Sequence, residues 1–403
     1  MEFRRIINSI LDSDLYKFTM QQAVIKLFPR AIVKYEFINR AGTEFPENFA
    51  SELRKQVQAF ETLALSDTEA RELKNKCGSY LDPTYITYLK GYRFDPSQVG
   101  IVQDGKELKV QITGPWHETI LWEVPLMATI SELYYELIGN DAFTLQVREE
   151  LNIRKAQLFN HGISKIADFG SRRRFSYENH NLLVRTFVNN NMNNWFVGTS
   201  NVHFAIKYNI KAIGTHAHEW FSFHAAKYGY RMANKIALDN WVRVYRGDLG
   251  IALPDTFTTD SFLESFDTML AKLFDGVRHD SNDPIDFTDK IVNHYNSLNI
   301  DPTTKTIVFS DNLNTVKVGD IEKYCIGKIR ASFGIGTHFT NDVGVKPLNM
   351  VIKMVAAKPA GKDFINTIKL SDDKMKYTGD PYQIDLCKKS LNINEKIKVY
   401  EKV

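Results

Sequence analysis

Cysteine is scarce in this chain. Cys77, Cys325 and Cys387 stand far apart, and no Cys-x-x-Cys pair occurs. That excludes a zinc ribbon or a disulfide framework and leaves buried free thiols as the expectation. No apolar stretch is long enough to cross a bilayer as a helix. The N-terminus, MEFRRIINSILDSDLYKF, carries early charges and only a short apolar run, which fits neither a secretory signal nor an anchor. The chain therefore reads as cytoplasmic. Charge of one sign is also lacking: 51 basic side chains face 48 acidic ones, a formal net charge of +3. Such a balance disfavours a general nucleic-acid binder but permits a local basic pocket. No low-complexity segment or flexible linker divides the 403 residues.

What is present begins as a mixture. AIVKYEFIN from Ala31 and ELKVQI from Glu107 alternate like strands. Phe49 to Leu63 has helical spacing, a helical stretch begins at Thr119, and Asp141 to Asn160 wraps charges around an apolar stripe. A pattern then recurs in which a short apolar run ends in a polar or glycine-bearing cluster, often followed by a helical segment. The clusters are ADFGSRRR from Ala167, FVGTSN from Phe196, AIGTHAHEW from Ala212, IALPDTFTTD from Ile251, GVRHDSNDP from Gly276, IVFSDNLN from Ile307 and SFGIGTHFTND from Ser332. Short apolar runs fit parallel strands covered on both faces. In barrels and open α/β sheets the C-terminal strand ends build the ligand site, so the clusters point to one convergent pocket. Their spacing favours an irregular barrel. Near the C-terminus, Pro347 to Val355 and Lys362 to Leu370 read as strands, and INEKIKVYEKV as an edge strand.

Several clusters carry chemistry. In Gly214-Thr215-His216-Ala217-His218-Glu219-Trp220 a strand ends and a helix begins at about His218. A histidine in the first helical turn meets the positive end of the macrodipole, where a phosphoryl group on its ring would be stabilised. The bland reading is a cap or a polar core niche. A competing reading takes His216-x-His218 as the metal pair of a barrel amidohydrolase, with His279, Asp280 and His338 as further ligands. In Phe169-Gly170-Ser171-Arg172-Arg173-Arg174 the arginine forks suit phosphate or carboxylate, with one or two facing the pocket and the rest facing solvent or a partner. Arg278 and Asp280 lie two apart at a strand end and face one way, as an anion and ribose site or as an internal salt bridge. Phe309 to Asn314 and Phe333 to Thr337 look like anion-binding turns. Asp12-Ser13-Asp14-Leu15-Tyr16 starts a helix, and on composition alone is structural.

Together these segments resemble the nicotinate phosphoribosyltransferase family. The likeness rests on DSDLYKFTM, YEFINR, GPWHETILWEVPL, FGSRRR, GTSN, GTHAHEW, LPDTFTTDSFL, RHDSNDP, FSDNLN, FGIGT and IKLSDD in this order, and it covers most of the chain. It implies the type II phosphoribosyltransferase fold, an irregular α/β barrel with a second mixed α+β domain built from both chain ends. Residues 1–130 and 346–403 would form that domain and 131–345 the barrel. The resemblance also implies a homodimer with sites at the interface. The activity implied is transfer of phosphoribosyl from phosphoribosyl pyrophosphate to nicotinate, with Mg2+ on the phosphates and ATP acting through phosphorylated His218. His216 is assigned to structure.

By the same likeness, nicotinate would lie between Phe169 and Tyr16 of the partner subunit, with Thr199 and Ser200 at the substrate. Arg278 would reach the carboxylate or nearby phosphates, and Arg172 substrate or phosphate. Asp280 would sit beside the ribose, and Asp311, Gly334 and Gly336 would cradle the 5′-phosphate. Two positions depart from the family pattern, with Asn282 and Asn312 where glycine is usual. Asparagine best tolerates left-handed backbone after glycine, so both turns should survive. Ser200 stands where an amide-binding aspartate would mark a nicotinamide enzyme, which favours the acid. A non-catalytic nucleotide sensor is the reading from another class.

Overall fold

The computed structural model describes residues 3–160, 162, 165–373 and 377–393. In chain order its strands are β1 (Ile32–Asn39), β2 (Val99–Asp104), β3 (Glu107–Pro115), β4 (Ile166–Asp168), β5 (Phe196–Thr199), β6 (Arg246–Leu249), β7 (Ile251–Ala252), β8 (Gly276–His279), β9 (Thr306–Phe309), β10 (Arg330–Ile335), β11 (Met350–Lys358) and β12 (Ile365–Asn366). Two sheets result. One has the order β12-β11-β1-β3-β2 and is antiparallel; the other has the order β5-β4-β10-β9-β8-β7 and is parallel. This mixed α/β architecture is the expected one.

The parallel sheet curls into an irregular barrel. Beyond β5 a single parallel bridge joins Thr199 to Ala212. The gap back to β7 is spanned by a side chain, since the Thr215 hydroxyl donates to the Ile251 carbonyl at 3.0 Å. All seven polar clusters therefore meet around one rim. The strands are short and nearly fully buried, as at β4 and β8, so their sequences lack clean alternation.

In the antiparallel sheet β11 lies beside β1, paired from Ile32↔Lys358 to Asn39↔Met350. Strand β3 buries every second residue, Leu108, Val110 and Ile112, which is the signature of a sheet covered on one face. Aromatic side chains pack the helix His218–Tyr228 against Phe28, just after the N-terminal helix Leu15–Leu27, and against Trp116 and Trp241. Phe28 and Phe223 have ring centroids 4.8 Å apart, Trp116 and Phe223 4.3 Å, and Trp220 and Trp241 5.5 Å. The three cysteines are buried and free, as expected. Among the described residues no helix is long and apolar enough to cross a membrane.

Two expectations near the C-terminus change. The strand foreseen over Lys362 to Leu370 shrinks to β12, and Lys369 makes only one bridge, to Thr378. The reason is that this segment turns inward: Leu370 N–H donates to the Thr256 carbonyl at 2.9 Å. A helix over Pro381–Ser390 was not anticipated, although its Asp380 cap and proline in the first turn are helix-start signals. The foreseen edge strand INEKIKVYEKV lies, past Ile393, outside the described residues.

Candidate active site

A cavity of about 570 Å³ opens where the strand tips converge. Tyr16, Phe169, Arg172, Ser200, Arg278, Asp280, Asp311, Gly334 and Gly336 all line it, brought together from positions far apart in sequence. A smaller pocket of about 80 Å³ adjoins it, lined by His218 and Glu219 and sharing Tyr16, Arg172, Arg278 and Asp280 with the larger one. Thr199 stands apart. Its buried hydroxyl donates to Asp168 Oδ2 at 2.6 Å, which corrects its expected place among substrate contacts.

Phe169 leaves β4 with its N–H bound to the Ile335 carbonyl at 2.8 Å. Its ring lies against the backbone of Gly334: a Cβ built there would come within 2.2 Å of Phe169 Cδ2. Glycine is required at 334 to admit this ring. The Arg278 guanidinium carbon sits 5.9 Å from the Phe169 ring centroid, while its Nε donates to Ser310 Oγ at 2.7 Å and its Nη2 to Asp280 Oδ1 at 2.8 Å. Arg278 and Asp280 thus form a salt bridge and face the cavity at once. Asn282 and Asn312 take φ of 72° and 46°, the left-handed backbone expected of them.

His218 is the first residue of the helix His218–Tyr228, as anticipated. Its Nδ1 is 3.1 Å from Thr256 Oγ1. Its Nε2 lies 2.9 Å from Asp280 Oδ2 and 2.9 Å from Lys369 Nζ. Asp255 completes the group, its Oδ2 3.0 Å from Lys369 Nζ. Burial, with the Lys369 ammonium close by, pushes the His218 imidazole down to about 4, so the ring is neutral at pH 7. Burial alone would raise the Asp280 carboxyl, but Arg278, His218 and Lys369 together hold it well below the usual range.

Another wall is crowded with cations. Arg40 at the end of β1 and Lys353 on β11 join Arg172, Arg173, Arg278 and Lys369 around the cavity. Burial and the neighbouring Arg172 and Arg40 push Arg173 down to about 10. Burial and Lys369 push Lys353 down to about 8. Like charges gathered in a partly dry site repel one another until an anion arrives.

Two family models match the sequence: the nicotinate phosphoribosyltransferase family over residues 164–395 and the N-terminal domain of that family over residues 11–131. Nicotinate phosphoribosyltransferase from Chromohalobacter salexigens is 51% identical over 392 residues, spanning 97% of this chain and 100% of its own. The chain belongs to the nicotinate phosphoribosyltransferase family. It is an enzyme of that kind. The crystal structure of nicotinate phosphoribosyltransferase from Porphyromonas gingivalis superposes with a TM-score of 0.92 at 44% identity, over 96% of this chain and 100% of that one. The corresponding structure from Vibrio cholerae gives a TM-score of 0.87 at 34% identity, over 97% and 94%.

Two further expectations are revised by the geometry. Tyr16 lines the cavity of its own chain, packed where a Cβ on Gly214 would stand 2.9 Å from the Tyr16 backbone nitrogen. The start of the helix Leu15–Leu27 is fastened to the barrel: Arg174 donates to both oxygens of Asp12 at 2.7 and 2.8 Å, and Ser200 Oγ donates to Asp14 Oδ1 at 2.7 Å. Arg174 is therefore fully buried, not turned to solvent or a partner, while Arg172 and Arg173 face the cavity. The amidohydrolase pair is not formed either. His216 is buried against Phe221 and Trp241, with both ring nitrogens lacking a hydrogen-bond partner among the described residues, and His279 Nε2 lies 3.2 Å from the Asn282 carbonyl. Sequence reasoning missed Asp255, Thr256, Lys353 and Lys369. Asp255 and Thr256 lay in IALPDTFTTD, Lys353 in the strand read over Pro347 to Val355 and Lys369 in IKLSDD, but none was given a role.

Proposed function

We propose that this enzyme transfers phosphoribosyl from phosphoribosyl pyrophosphate to nicotinate, giving nicotinate mononucleotide and pyrophosphate, and that ATP drives the cycle through a phosphohistidine at His218. One observation carries the reading: a neutral, lone-pair-bearing imidazole stands beside a cavity whose crowded cations call for a polyphosphate. Nicotinate lies against Phe169, with Tyr16 on the same cavity, so that the ring nitrogen and the ribose C1 are held about 3–3.5 Å apart in line. Ser200 already donates to Asp14, so selection of the acid falls to Arg172 and Arg278. Their planar forks match a carboxylate and offer no acceptor to an amide.

Asp280 stabilises positive charge developing at C1, and Arg278 keeps it ionised. The backbone N–H groups of the turns at Asp311 and Gly336 hold the 5′-phosphate. Mg2+ fits the site as a passenger on the phosphates. Asp255 and Asp280 lie close enough together, beside His218, to hold it, and among the described residues Asp255 Oδ1 lacks a hydrogen-bond partner; the ion would neutralise charge on the pyrophosphate. We place the barrel at residues 131–345 and the second domain at 1–130 with 346–403.

The test is nucleotide formation from nicotinate or nicotinamide, each with and without ATP. Nicotinate should be the better acceptor and ATP should stimulate it, and His218→Ala should lose the stimulation while keeping slow ATP-independent turnover. Equal use of the amide, or unchanged stimulation in that variant, refutes the assignment.

A further inference from the structure

Lys369 belongs to no long strand, yet its ammonium reaches the centre of the His218 group. Its backbone is fixed by hydrogen bonds with Thr378, at 3.0 Å from its N–H and 2.9 Å to its carbonyl, and the next residue, Leu370, is tied to Thr256. The same short segment thus governs both ring nitrogens of His218, through Thr256 at Nδ1 and Lys369 at Nε2.

The contacts at Nε2 cannot all be made together. An ammonium only donates and a carboxylate only accepts. Nε2 can offer its lone pair to Lys369 or a proton to Asp280, one at a time, with each partner 2.9 Å away. Nucleophilic attack requires the lone pair, hence the tautomer whose proton sits on Nδ1 facing Thr256. In that tautomer Lys369 covers the attacking atom. Attack therefore requires Lys369 to move, and the structure supplies places for it: Asp255 Oδ2 at 3.0 Å, Asp280 Oδ2 at 3.8 Å and the small pocket that Lys369 and His218 both line.

We propose that Lys369 guards the His218 nucleophile and then carries the charge of the transferred phosphoryl group. The proposal rests on the phosphohistidine reading above. When a nucleoside triphosphate arrives, its terminal phosphate draws the ammonium off Nε2. The lone pair forms the N–P bond as the P–O bond to the nucleoside diphosphate breaks, and the diphosphate leaves with that electron pair. Nδ1 keeps its proton toward Thr256. The phosphoryl oxygens now lie beside Lys369, which stabilises them until water attacks phosphorus, the N–P bond breaks and orthophosphate departs.

The experiment uses the full chain with γ-labelled ATP and Mg2+, quenched in alkali to preserve acid-labile phosphate. Removal of a hydrogen bond to a charged group changes rates on the order of 10- to 100-fold. Lys369→Met uncovers Nε2 but leaves the incoming phosphoryl charge without its ammonium; the lost charge dominates, so it should label at His218 slower by that factor, Lys369→Arg should fall between it and the unsubstituted enzyme, and faster labelling in Lys369→Met would overturn the charge-carrying role. Chased label should also leave Lys369→Met faster, because its phosphoryl oxygens lack the stabilising ammonium. If Lys369→Met does not fold, Lys369→Gln, which keeps a donor without the charge, serves in its place. Labelling and decay equal to the unsubstituted enzyme in a folded, charge-free variant overturn the role of Lys369 and leave the phosphohistidine intact. No label in the unsubstituted enzyme overturns both.

Discussion

Gly334→Ala should damage nicotinate binding through a single ring. The added methyl would stand 2.2 Å from Cδ2 and 2.3 Å from Cε2 of Phe169. Carbon atoms pack at about 3.5–4.0 Å, so the ring or β10 must give way by more than an ångström. Overpacking of this kind costs about 1–3 kcal/mol. Strand β10 is held by β4 and β9 on its two sides, so the ring is the part that moves. Loss of an aromatic stack is worth about 0.5–1.5 kcal/mol, which raises the KM for nicotinate roughly two- to tenfold. The assay is steady-state kinetics with nicotinate varied, run for Gly334→Ala, Phe169→Ala and the double variant. With the ring gone, the methyl has nothing to strike, so the two effects should couple by about 1 kcal/mol or more. Additive effects, or an unchanged KM in Gly334→Ala, would refute the reasoning.

Acid should destabilise the enzyme before its carboxylates titrate. Burial holds His216 at about 3, His218 at about 4 and His224 at about 3 in the folded chain, against about 6.5 unfolded. The unfolded chain therefore binds more protons between these values, and stability falls as pH drops from about 6.5 toward 4; urea midpoints at pH 7.5 and 5 measure it, and equal midpoints contradict it. Tyr16→Ala should raise the KM for nicotinate, and mixing it with a Phe169→Ala chain should restore part of the activity, as expected if Tyr16 of the partner subunit completes the site; no recovery would mean that each chain serves its own site. Asn312→Ala should cost about 1–2 kcal/mol at its left-handed backbone whereas Asn312→Gly should be nearly neutral, as thermal midpoints of the two variants would show.

The strand tips were legible because a short apolar run that ends in a polar cluster fits a buried strand opening onto a ligand site, and fits little else. His218 was legible because it sits at a strand-to-helix junction, and Asn282 and Asn312 because backbone handedness restricts residue choice. Partners across the chain were not. Nothing in three consecutive arginines says that Arg174 turns inward to Asp12, 162 positions away. Thr199 was placed at the substrate by the family likeness, which cannot show that its hydroxyl turns inward to Asp168. Lys369 appeared to sit in a strand, where alternation alone cannot show that the segment dives toward Thr256. How the first helix docks was not legible either, because Asp12 and Asp14 find their partners Arg174 and Ser200 only in the fold.

The pairing of β1 with β11 has a consequence for how the molecule is made. A ribosome releases Ile32 to Asn39 early, but the neighbour that covers one edge of that strand is synthesised some three hundred residues later. During most of translation β1 presents an open hydrogen-bonding edge, the kind of surface that invites mispairing. The cavity inherits the delay, because Lys353 comes with β11 and Lys369 follows it. A nascent chain stalled before residue 350 would hold a barrel rim with its arginines in place and no finished site.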